Sequence, residues 1–417
     1  MKSLILIPIT LFFFIAQLAA QDDKVAEIYW GKELREPNGT SLSEVIPFGI
    51  SSFYGLRQKK EGGIEGNKEK IYIERYNEKM NLVKSKEVVL KYKKKNLDYE
   101  GFIKLGNELY LLSSFNNQAK KKNYLFAQKV SKKSLTVSTK IVKIGEIDTR
   151  NIQQEGYFDF HISRDSSKIL IYNSLPYKKG MPERFALNVY DNQFNPLWSK
   201  DISLPYADKY FSVEEYQVDN NGNVYLLGLN YKPNYFYTIL AYSENGETFD
   251  EYPIKPKEKL ITDLTFRVND DGNLVCSGFY SDYYLDKIRG TYFFLLDTKT
   301  NTILNKSLKE FDFGFLTANL SNKQIEKAKK SSKAKDKIGL NSFSLDKLIL
   351  RSDGGALLIA EQYFVEEYRR PNYGSSFYTP GYPTSSSSYT KDYYYHYNDI
   401  IVVNIQPFQG CKIFNTG

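Results

Sequence analysis

A short hairpin that returns about every fifty residues constrains this chain more than any other feature. It is clearest at Asp219–Leu229 (DNNGNVYLLGL), a polar turn with one glycine followed by a short apolar run. It recurs at Asn269–Phe279 (NDDGNLVCSGF) and, less cleanly, at Leu105–Ser114 (LGNELYLLSS), Arg164–Asn173 (RDSSKILIYN) and Arg351–Gln362 (RSDGGALLIAEQ). Asn107 to Lys168 is 61 residues, Lys168 to Asn223 is 55 and Asn223 to Asn273 is 50. Asn273 to Gly355 is 82, one period plus an insertion at Asp312–Phe343.

Further short strands flank each hairpin. The first set runs through Glu44–Phe48, Ser51–Gln58, Lys70–Tyr76 and Lys86–Leu90, four strands joined by turns in under fifty residues. Later sets span Tyr99–Ile147, Tyr157–Leu204, Phe211–Ile254 and Ile261–Phe311, and a sixth begins at Ser344. One meander cannot bury both of its faces alone, so several must pack face to face around an axis. The predicted fold is an all-β propeller of four-stranded antiparallel blades with one short helical insertion. Six blades are accounted for, and a seventh or eighth is expected only if a longer parent chain existed.

In the hairpins, Val224, Leu226 and Gly228 point one way and Tyr225, Leu227 and Leu229 the other. Both sets are largely apolar, as expected of a strand covered on each side by a blade. Gly222 and Gly272 are expected in the left-handed position of a short hairpin loop. The oxygens of DNNGN and NDDGN lack the spacing and distal glutamate of an EF-hand loop. The sixth set has no obvious outermost strand after Asp399–Ile405, and we expect Val25–Leu34 (VAEIYWGKEL) to supply it and close the ring.

Met1–Ala20 reads as a secretory signal: Lys2, an apolar core at Leu4–Ile15, then Leu18-Ala19-Ala20 before Gln21. The propeller domain is then expected over 21–417, in an exported protein of the periplasm, cell surface or exterior. No other stretch is apolar enough to span a bilayer of about 30 Å. Aromatics make up 15% of the chain, with 35 tyrosines, which favours pleated, half-buried surfaces. The net charge of +8 is spread over turns, so nucleic acid is not the expected partner. Only Cys276 and Cys411 are present, and Cys276 takes the hairpin place of Leu226, as a small core hydrophobe. Two histidines and no Cys/His cluster argue against zinc, and neither metal nor cofactor is expected.

The hairpin spacing and the D/N-x-x-G-N turns resemble the broad class of bacterial secreted β-propeller-like repeat proteins. The resemblance is architectural. The Gly-His…Trp-Asp signature of WD40 blades is missing, and RSDGGALL lacks the tryptophan of a sialidase-type Asp box. It implies a fold and no catalytic residues.

Topology gives a sharper expectation. Loops between strands two and three open on the same face as the links to the next blade, and the long segments all belong to this class. They are 114–123, 174–184, 230–235, 280–290 and Phe364–Asn398, with the insertion Asp312–Phe343 on the same side. Tyrosine on a rigid scaffold supplies large amphipathic contacts at low rotamer cost. The candidate binding residues are Tyr177, Tyr231, Tyr235, Tyr283, Tyr284, Tyr368, Tyr373, Tyr378, Tyr393 and Tyr394. The insertion is expected to hold a basic helix capped by Ser321 and Gln324. The expected function is a non-enzymatic binding or scaffold module for a glycan or envelope protein. The alternative is a carbohydrate-active enzyme with paired carboxylates in the central funnel.

Overall fold

Each run of alternating or continuous apolar residues forms a strand, and the strands come in fours. The computed structural model describes residues 35–61, 68–149, 155–176, 179–256, 259–318, 320–331, 337–371, 389–406 and 410–416. Its compact unit runs from Arg35 to Gly417. Blade 1 comprises Thr40–Pro47, Ser52–Glu61, Lys68–Asn77 and Leu82–Val88, and blade 2 comprises Asp98–Leu105, Glu108–Asn117, Lys122–Val130 and Val142–Asp148. Blade 3 comprises Tyr157–Ile162, Lys168–Ser174, Pro182–Asp191 and Pro196–Ala207. Blade 4 comprises Phe211–Val218, Val224–Asn230, Phe236–Ser243 and Thr248–Ile254. Blade 5 comprises Leu260–Val268, Leu274–Ser281, Gly290–Asp297 and Thr302–Glu310. Blade 6 comprises Phe343–Leu350, Ala356–Pro371, Tyr389–Gln406 and Gly410–Thr416. Every blade is an antiparallel meander, so the chain is a six-bladed β-propeller.

Five apolar clusters fill the interfaces between consecutive blades from 1 to 6. The second strand of blade 4 shows how. Tyr225, Leu227 and Leu229 join the cluster against blade 5, while Val224 and Leu226 join the one against blade 3. Cys276 sits in the first of these clusters, wholly buried and unpaired. The hairpin turns explain their own sequence. Asp219 Oδ1 accepts from the backbone N–H of Asn221 at 2.8 Å and of Asn223 at 2.9 Å, and Gly222 takes φ 92°. The aspartate thus satisfies the turn, as Asx turns do, and Gly222 and Gly272 adopt the expected left-handed conformation.

The inner strands carry a device that the sequence did not reveal. In blades 1, 4 and 5 one extra residue, Ser43, Glu214 or Thr262, bulges out of register. The next residue is Glu44, Glu215 or Asp263, and each carboxylate accepts from a backbone N–H in the inner strand of the following blade. The donors are Phe102 at 2.9 Å, Phe266 at 3.3 Å and Leu345 at 3.1 Å. A bulge bends its strand and re-aims a side chain, which is its use here. Gly278 lies opposite the blade 5 bulge, where a Cβ would fall 2.0 Å from Asp263 O.

Two expectations need correction. The fourth strand of blade 6 is Gly410–Thr416, paired to Ile400–Gln406, and not Val25–Leu34, which lies outside the described residues. An outermost strand is held by main-chain bonds along one edge, so it needs no strong apolar alternation. The segment Phe364–Asn398 is also not simply a loop. Its flanks prolong the second and third strands of blade 6 as a two-stranded ribbon paired as far as Pro371 and Tyr389. Among the described residues the insertion between blades 5 and 6 holds two helices, α1 (Phe313–Thr317) and α2 (Asn322–Lys330), and the expected capping box of Ser321 and Gln324 is present.

Candidate functional site

A cleft of about 580 Å³ lies between the outer strand of blade 2 and the third strand of blade 3. Strand alternation decides what lines it. On the third strand of blade 3, Leu187 and Val189 pack towards blade 4, while Arg184, Ala186, Asn188 and Tyr190 face the cleft. On the second strand, Ile169 and Ile171 fill the core against blade 2, and Asn173 continues the same face into the cleft. The opposite wall is Lys143–Glu146 with Asp148, Thr149 and Lys122.

Ion pairs fix the rim. Lys122 Nζ meets Glu146 at 2.9 Å and also pairs with Asp148, and Lys143 Nζ meets Glu146 at 2.6 Å. Lys143 and then Lys122 hold the Glu146 carboxyl below the usual range, and Asp148 and Glu146 hold Lys122 above its own. Deeper in, Tyr190 donates to Ile144 O at 2.9 Å, Ser199 donates to Asn188 Oδ1 at 2.7 Å and Arg184 Nη2 donates to Pro176 O at 3.3 Å.

Four residues of this lining each keep one buried polar atom without a partner among the described residues: Thr149 Oγ1, Asn173 Oδ1, Arg184 Nε and Asn188 Nδ2. A buried polar group left unpaired costs about 1–3 kcal/mol. Donors and acceptors are mixed, which suits hydroxyl groups, since each hydroxyl both donates and accepts. Arg184 is also the one cation of the lining with no carboxylate in salt-bridge contact among the described residues. The signal in the sequence was Asn173, on a strand face whose other positions, Ile169 and Ile171, are apolar.

Seven of the ten predicted tyrosines are among the described residues, and they lie elsewhere. Tyr177, Tyr373 and Tyr378 fall outside the described residues. Tyr231 is exposed and tied to Ser212 at 3.0 Å and Glu214 at 3.2 Å. Tyr235 is half-buried against the core between blades 4 and 5. Tyr283 and Tyr284 are exposed and edge-on to one another at 6.5 Å. Tyr368, Tyr393 and Tyr394 are exposed on the ribbon, with Tyr368 and Tyr394 edge-on at 5.1 Å. None of these seven described tyrosines lines the cleft.

On the loop-bearing side of blades 2 and 3 two carboxyls are raised above their ordinary range. Burial, and then Asp208, pushes Glu183 up to about 7. Burial also raises Glu100, with Asp98, Glu155 and Asp159 adding to the effect. Close by, Tyr157 is 55% exposed and Tyr172 stacks on Tyr216 at 4.7 Å. Among the described residues no group of three or more His, Cys, Asp or Glu could hold a metal ion, and no helix is long and apolar enough to cross a membrane.

The sequence matches no protein-family model and no characterised protein. Solved structures with related architecture do exist. The β-propeller domain of the Trilobed protease from Pyrococcus furiosus aligns with 10% identity and a TM-score of 0.41, covering 91% of this chain and 94% of that one. The Penicillium chrysogenum α-L-arabinanase aligns with 9% identity and a TM-score of 0.37, covering 64% and 92%. The Pyrococcus horikoshii acylaminoacyl peptidase aligns with 10% identity and a TM-score of 0.40, covering 90% of this chain and 51% of that one. The likeness is one of architecture and carries no activity across.

Proposed function

We propose that the protein is an exported, non-enzymatic binding propeller that holds a polyhydroxylated ligand, a glycan of the cell envelope, between blades 2 and 3. The observation that carries this reading is the set of four unpartnered polar atoms on residues of one cleft. A saccharide offers alternating donors and acceptors at the spacing of adjacent hydroxyls. It would complete such a set where an apolar ligand would leave it unsatisfied. Export rests on the apolar core Leu4–Ile15 and the small residues before Gln21.

A glycan array with the intact protein and with Arg184→Met and Asn188→Leu tests the assignment. We expect binding to at least one saccharide class, weakened by about tenfold or more in each variant. Binding that neither substitution weakens contradicts it. Deletion of Phe364–Asn398 separates the cleft from the tyrosine ribbon: the cleft reading predicts unchanged binding, and loss of binding moves the ligand to the ribbon.

A second reading, a carbohydrate-active enzyme, draws on the carboxyl of Glu100, raised by burial and by the nearby carboxyls of Asp98, Glu155 and Asp159. Neighbouring carboxyls, one of them raised by burial, are the arrangement that glycoside hydrolysis uses. Release of reducing sugar from the bound saccharide, abolished by Glu100→Gln, favours this reading. A saccharide recovered intact removes it.

A further inference from the structure

The first strands of blades 3, 4 and 5 end around a second pocket, of about 260 Å³, beside Leu350 of blade 6. It lies at the turn-bearing end of the propeller, on the side away from the long loops. Its chemistry differs from that of the cleft, because the polar groups its lining leaves over are donors.

His161 Nδ1 accepts from the backbone N–H of Val218 at 3.1 Å, so in the neutral ring the proton sits on Nε2. Burial, and then Arg267, holds the imidazole down to about 4, which keeps that tautomer through neutral pH. Arg267 spends Nη1 on Glu215 and on Phe266 O, leaving Nε and Nη2. Arg164 meets Asp270 through Nε at 3.4 Å, leaving both Nη groups. Asn220 Oδ1 accepts from Asp165 N–H, and Asn269 Oδ1 accepts from the N–H groups of Asp271 and Asn273, so each amide presents its NH₂.

The acceptors of the lining are already committed. Both oxygens of Asp219 are held within its own turn, and Gln217 Oε1 accepts from Val268 N–H. Glu215 and Asp270 offset the charge of the two guanidinium groups and hold them in place. Recognition here therefore rests on converging N–H donors, and a ligand that satisfies them must be all acceptor. We propose that this pocket binds a compact oxyanion: a phosphate, sulfate or carboxylate group.

Isothermal titration with inorganic phosphate, sodium sulfate and sodium acetate, each against chloride at matched ionic strength, tests the proposal. We expect a saturable site for at least one of them, and the pattern identifies the source: acetate alone points to a carboxylate-bearing ligand, phosphate or sulfate to a tetrahedral anion. Asn269→Asp should weaken that binding by about tenfold or more, because it replaces a donor with a negative charge. The variant should fold, since Asp219 makes the same turn bonds in blade 4. Arg164→Gln, at an exposed position, is the second variant. The absence of a saturable site for all three anions overturns the proposal. So does undiminished binding in both variants.

Discussion

The Glu44 carboxylate of blade 1 accepts the backbone N–H of Phe102 in blade 2 at 2.9 Å, from the position just after a bulge. The same relation links blade 4 to blade 5 and blade 5 to blade 6. Among the described residues adjacent blades share no strand pairing, so such bonds are the polar counterpart of the apolar clusters between them. Glu44→Ala should cost about 2 kcal/mol, because it leaves a strand N–H unpaired, and Glu44→Gln, which keeps an acceptor, should cost less than half of that. Denaturant unfolding of both variants checks this, and equal losses would remove the carboxylate from the account.

Gly278 should tolerate no side chain. A Cβ there meets backbone, Asp263 O at 2.0 Å, and backbone cannot rotate aside as a side chain can. Gly278→Ala is expected to cost about 1–3 kcal/mol, the range of forced repacking. Gly272→Ala isolates the cost of a positive φ, since nothing lies within 4 Å of its Cβ.

Ending the chain at Gln406 removes the fourth strand of blade 6 and bares the edge of the third. We expect a fall in Tm of about 2 °C or more, corresponding to roughly 2 kcal/mol, with increased self-association through the open edge. Calorimetry and light scattering report both. An unchanged Tm would mean that the pairing contributes nothing to the fold.

Glu183 gives a pH signature. Burial pushes its carboxyl in the folded protein up to about 7, above the ordinary glutamate value of 4.5, so between those values the folded state binds more protons than the unfolded one. Its contribution is therefore fully present below 4.5 and is lost as pH rises through 7. Glu183→Gln should flatten the decline of Tm across that window. If wild type and variant decline in parallel, another group is responsible.

The blades were legible because each hairpin writes two constraints at once. The Asp or Asn and the Gly encode the turn, as Asp219 and Gly222 show, and the apolar run encodes a strand covered on both sides. Gly410–Thr416 was not legible because its place depends on main-chain pairing with Ile400–Gln406. The ribbon was missed because Tyr393, Tyr395 and Tyr397 alternate with Tyr394 and His396, so both faces read alike and no period of two stands out. The cleft was hidden for another reason. Thr149, Asn173, Arg184 and Asn188 come from two blades and three separate segments of the chain, and only folding makes them one site.

The most direct measurement is the crystal structure of the protein soaked with the saccharide that it binds best on the array. The account predicts sugar density between blades 2 and 3, with hydroxyls in hydrogen-bond contact with Arg184, Asn188 and Asn173. Density elsewhere on the propeller, with that cleft filled by water alone, would contradict it.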